Sequence, residues 1–135
     1  MIRGILSVCA ESIVRDAATN HVSVLNIIEE INTPTFPVAI SKLSSLFYLV
    51  KDEEDAVVNE LSIRFIINGE EINRFPIHSD FQNKLKSRVI VNLQGLVIPG
   101  PGTLHAILFL NDKEIGFWDI QINHTGTPKI QTTQG

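Results

Sequence analysis

The sequence predicts an all-β protein, an antiparallel β-sandwich of about eight strands, with a barrel as the second architecture. Three observations carry this expectation. Apolar residues recur with strand period in short runs separated by turn signals. Asn68-Gly69 and Pro99-Gly100-Pro101-Gly102 fall between such runs, where hairpin turns are needed. No strand–helix–strand rhythm and no internal repeat interrupts the pattern. One open sheet of eight strands would leave an apolar face in water, whereas two packed sheets bury it.

The first run is Ile2 to Ser12, closed by Arg15-Asp16 and Thr19-Asn20-His21. The second is Val22 to Ile31. Pro34 and Pro37 follow and remove ladder donors, which marks a loop or an edge crossing. Ile40 to Val50 has helical spacing in Ile40, Leu43, Phe47 and Val50. It reads as a strand buried on both faces, because its serines and aromatic residues are poor helix formers. Lys51 to Asp55 turns the chain, with a short helical turn reaching Val58. Glu60 to Asn68 alternates cleanly, with Leu61, Ile63, Phe65 and Ile67 on one side. Glu70 to Ile77 pairs back on it through Asn68-Gly69. Ser87 to Val97, Thr103 to Leu110 and Glu114 to Asn123 complete the set. In the last run the stripe Ile115, Phe117 is expected inward, although Trp118, Ile120, Ile122 is equally apolar. Residues 1–124 form one domain, and 125–135 a polar tail without period.

Composition narrows the function classes. The chain has 135 residues, 44% hydrophobic and 19% charged, which suits one folded domain. Net charge is -4, and the densest basic group is Lys84, Lys86 and Arg88. Two-residue spacing puts all three on one strand face, but three charges make a weak phosphate footprint. Nucleic acid is not expected as a partner. Cys9 is the single cysteine, so the fold needs no intrachain disulfide. The apolar stretch before Cys9 is too short for a signal peptide, and no run reaches membrane-spanning length. The expected location is the cytoplasm, with no membrane partner.

No motif carries chemistry. His21, His78, His105 and His124 make no short-spaced metal pair. His78 and Asp80 are two apart and read as loop polar groups, and His105 as a surface or satisfied strand residue. No serine lies in a nucleophile elbow. Asp52 to Asp55 lacks the glycine and spacing of a calcium loop. The Pro-Gly turn lacks the lysine of a phosphate loop. No cofactor, metal or catalytic residue is expected, and an enzyme is disfavoured.

Two segments carry a resemblance: Leu6-Ser7-Val8-Cys9-Ala10-Glu11 with Asp16, Val24-Leu25-Asn26-Ile27-Ile28 and Phe36-Pro37, and Pro101-Gly102-Thr103-Leu104 running into Phe109-Leu110-Asn111-Asp112. Together they resemble a family of small bacterial single-domain β proteins of unknown function. Proline-glycine before a closing hairpin also occurs in many immunoglobulin-like sandwiches. The resemblance implies a one-domain bacterial β protein, in keeping with the immunoglobulin-like sandwich expected from the strand pattern, and adds no chemistry.

The expected function is that of a non-enzymatic binding or structural protein acting through a protein-interaction surface. The alternatives are a sandwich that binds carbohydrate or a small ligand, with Tyr48 or Trp118 as the aromatic platform, and a small hydrolase using His78 or His105. The expected surface comprises Ile66, Ile107, Phe109, Trp118 and Ile120, apolar residues in excess of what one inner core needs. A homodimer through one sheet face or through edge strands would cover them. The competing cover is the tail folding back with Pro128 and Ile130.

Overall fold

A computed structural model describes residues 1–56 and 58–126. Its strands are β1 (Arg3–Arg15), β2 (Val22–Ile27), β3 (Glu30–Thr33), β4 (Val38–Ile40), β5 (Leu43–Val50), β6 (Val58–Ile67), β7 (Glu70–Asp80), β8 (Lys86–Leu93), β9 (Leu96–Ile98), β10 (Gly102–Leu110) and β11 (Lys113–His124). Eight expected runs become eleven strands. The second splits into β2 and β3 and the sixth into β8 and β9 where the chain changes sheet, and β4 is a short strand before the third run, which becomes β5. Periodicity persists across such a corner, so the break leaves no mark in the apolar pattern. The stretch with helical spacing is strand. Asp52 to Asp55 forms a backbone-bonded turn, and the expected helical turn reaching Val58 is replaced by the start of β6, with Val57 outside the described residues.

Two sheets form the sandwich. Sheet A has the order β2-β1-β5-β8, and sheet B the order β3-β11-β10-β6-β7. Strands β4 and β9 make a separate short ribbon. All pairings are antiparallel except β3 with β11. Asn68 and Gly69 both have positive φ, as the tight turn between β6 and β7 requires. The Asn68 amide donates to the Pro101 carbonyl at 2.9 Å, tying this turn to the start of β10.

The core lies between the sheets. Cys9, Leu43, Phe47 and Leu49 come from sheet A, and Ile63, Phe65, Leu104, Leu108, Ile120 and Ile122 from sheet B. Each fully buried Phe or Leu contributes about 1.5–3 kcal/mol by leaving water. β1 and β11 pack tightly at two glycines. A Cβ at Gly4 would strike the Ile115 carbonyl oxygen, and one at Gly116 would lie 2.9 Å from Ser7 Oγ. Gly116 thus heads the inward row of β11, followed by Trp118, Ile120 and Ile122. This corrects the expected facing: Phe117 points out and is 55% exposed. Trp118 packs on the core, and its indole N–H donates to the Ile28 carbonyl at 2.8 Å.

Sheet A carries a partial third layer. Leu46 lies on the face of β5 away from the core, in line with Val8 and Ile90. It is nevertheless only 2% exposed. Beyond Ala10 the β1–β2 hairpin turns back across this face. Its tip reaches β8, where Arg88 Nη2 donates to the Asn20 carbonyl at 2.8 Å. Ile13, Val22 and Val24 are partly buried, while Val14, Leu25 and Ile27 stay about half exposed.

Candidate interaction surface

The outer face of sheet B holds three of the five expected residues. Cross-strand register sets Ile66 beside His105, Ile107 beside Arg64 and Phe117, and Phe109 beside Ser62. Ile66, Ile107 and Phe109 are all partly buried. Trp118 and Ile120 leave this set, because β11 turns them into the core and Ile120 is fully buried. Phe117 takes their place on the outer face. The patch is broken up by charge. The Arg64 guanidinium stacks 4.1 Å from the Phe109 ring centroid and lies 3.6 Å from Asp112. Arg74 pairs with Glu71 at 2.8 Å, and His105 Nδ1 meets Asp119 at 2.5 Å. A face laced with satisfied polar groups loses their hydration on docking, which offsets much of the apolar gain.

The β1–β2 arm is different. Leu25 is 50% exposed, Ile27 54% and Val14 49%. Strand β2 is also an edge of sheet A, with β1 on one side and no described strand on the other. Natural sheets blunt their edges with charge, proline or short length. Strand β7 carries Glu70, Glu71, Arg74 and Pro76. Strand β8 carries Lys86 and Arg88. Strand β3 is four residues long and contains Glu30. The six residues of β2, Val22-Ser23-Val24-Leu25-Asn26-Ile27, carry no charge and no proline; their one irregularity is Asn26, with φ of 59° and its side chain bonded to Glu11. Among the described edges of sheets A and B, β2 alone is uncharged.

Folding the arm back also assembles a groove of about 700 Å³ between its tip and β8. Arg15 and His21 from the arm join Lys84, Lys86 and Arg88, with Asp80 as the one carboxylate in the lining and Tyr48 on the floor. None of the four Lys and Arg side chains pairs with a carboxylate among the described residues. Arg15 is held by the Asn20 side chain at 3.1 Å, and Arg88 by the Asn20 carbonyl. The sequence spacing shows only Lys84, Lys86 and Arg88. Arg15 lies some seventy positions away, and nothing local reveals the fold-back that brings it there.

His78 and Asp80 do not come together. Asp80 lines the basic groove and accepts the Gln82 backbone N–H at 2.9 Å. His78 borders a separate hollow of about 490 Å³ with Glu60 and Asn111. Among the described residues no three His, Cys, Asp or Glu side chains group as metal ligands. Cys9 is buried 3.1 Å from Ser45 Oγ, and burial pushes its thiol pKa up to about 11. No helix among the described residues is long and apolar enough to cross a membrane. Pro128 and Ile130, the expected tail cover, lie outside the described residues.

The strand order defines the class. A closing hairpin β10–β11 lies beside β6–β7, while the intervening β8 crosses to pair with β5 in the opposite sheet. This is an immunoglobulin-like β-sandwich. Residues 5–123 match the Family of unknown function (DUF6941), and the chain belongs to that family. Among solved structures it is similar to an immunoglobulin-like protein from Pseudomonas aeruginosa, with 10% identity, a TM-score of 0.46, and coverage of 91% of this chain and 97% of that one. No curated protein matches.

Proposed function

We infer that the protein is a binding module that engages a protein partner through the outer edge of its β1–β2 arm. One observation carries the reading: β2 is an uncharged edge strand whose Leu25 and Ile27 are half exposed. An exposed strand edge offers backbone donors and acceptors in a row, and an extended segment of another chain satisfies them. The apolar side chains then supply desolvation energy, and the register supplies specificity. A photoreactive residue at position 25 tests this in the source cell, with position 70 in the β6–β7 turn as control. A discrete protein adduct, to any partner, is expected at 25 and not at 70. Equal adducts at both positions, or none at 25, would remove the reading.

The basic groove favours a second reading, a site for a small anionic ligand held by Arg15, Lys84, Lys86 and Arg88 around Tyr48. Inorganic pyrophosphate titrated against the protein should then perturb the Tyr48 ring resonances saturably, and Arg88→Gln should weaken the effect. A linear, salt-like response would reduce the groove to a solvated basic face.

A further inference from the structure

We propose that the strand received by the β2 edge is β2 of a second copy of this chain, paired antiparallel about a twofold axis near Leu25. The inference rests on the preceding reading and names its partner. A twofold axis perpendicular to a sheet joins two identical edges into one continuous sheet, here eight strands built from two copies of sheet A. Self-pairing requires a strand that does not repel its own copy, and β2 has no charged residue to do so.

Charge at the two ends of β2 sets the direction. The tip end carries Arg15 and His21, with Lys84, Lys86 and Arg88 behind them; the two carboxylates here are bonded to backbone amides, Asp16 to Ala18 and Thr19, and Asp80 to Gln82. The opposite end carries the exposed carboxylates Glu11, Glu29 and Glu30, with Lys42 beside Glu11. Antiparallel pairing centred on Leu25 turns the basic tip of one copy toward the acidic end of the other at both poles. Parallel pairing would stack like on like. Leu25 then meets its own twin across the axis. Such directly opposed side chains approach within about 4.5–5.5 Å between Cβ atoms. The other edges of sheets A and B do not qualify, because their charges would face copies of themselves; the β4–β9 ribbon is uncharged, but its strands are only three residues long.

Two measurements on the full chain test this. Sedimentation at micromolar concentration should show a dimer of the 15.0 kDa chain, and Leu25→Lys should raise its dissociation constant at least tenfold while circular dichroism stays unchanged. Leu25→Cys should form a disulfide-linked dimer under mild oxidation, while Glu70→Cys should not; the native Cys9 is buried and does not interfere. A monomer at all concentrations, or a dimer indifferent to Leu25→Lys, would overturn the proposal. The failures are distinguishable. A photoadduct at position 25 to a different protein, with a monomer in sedimentation, sinks the self-pairing and leaves the binding reading intact. No adduct at all removes both.

Discussion

Arg88 and Asn20 are 68 residues apart in sequence, yet the guanidinium of one donates to the backbone carbonyl of the other at 2.8 Å. This bond pins the tip of the β1–β2 arm to β8, and with it the orientation of the β2 edge. Arg88→Gln should release the tip. The bond is solvent-exposed, so the global cost is expected at about 1 kcal/mol or less. The local effect should be larger: amide exchange in Asn20 to Val24 accelerates, while Phe47 and Val89 keep their protection. Unchanged exchange in the arm would show that the apolar contacts of Ile13, Val22 and Val24 hold it unaided.

The close approach of β1 and β11 makes a second prediction. At Gly4 an added methyl meets the backbone oxygen of Ile115, which cannot rotate away. At Gly116 it meets Ser7 Oγ, which can. Gly4→Ala should therefore cost about 2–3 kcal/mol in denaturant unfolding, in the range of overpacking. Gly116→Ala should cost less, and adding Ser7→Ala should recover part of that loss. Equal costs at the two glycines would place the tight contact elsewhere.

Cys9 gives a pH dependence. Burial raises its pKa from 9.0 to about 11 in the folded chain, with a smaller opposing effect from Ser45. Between those values the unfolded chain has lost the thiol proton and the folded chain has kept it. The unfolded state then binds fewer protons, so stability falls as pH rises from about 9 to about 11, by about 2–3 kcal/mol in total. Below pH 9 the thiol contributes no slope. Tyrosine and lysine titrate in the same range, so the measurement is the difference between wild type and Cys9→Ala. Parallel curves for the two would contradict the burial argument.

The fold class was legible because strand alternation and turn chemistry are local. Glu60 to Asn68 and its Asn-Gly turn became β6 and its hairpin almost residue for residue. The sheet changes were not legible, because Ile28 and Glu29 continue an apolar strand pattern while the backbone leaves sheet A for sheet B. The facing of β11 failed for a related reason. Its two stripes are equally apolar, and the deciding residue, Gly116, has no side chain to weigh. That error carried Trp118 and Ile120 into the expected surface. The arm escaped notice because its exposed Leu25 and Ile27 look in sequence like ordinary core strand residues. Only the burial of Leu46 and Val8 on the far side of sheet A shows that β2 covers one face and offers its edge to solvent.

The central claim is that this edge, and not the outer face of sheet B, is where the chain binds. Backbone amide spectra recorded over a hundredfold range of protein concentration test it residue by residue. The account predicts progressive shifts and rising exchange protection in Val22 to Ile27, with Ile66, Ile107 and Phe109 unmoved. Shifts confined to Ile66, Ile107 and Phe109, with β2 silent, would contradict it.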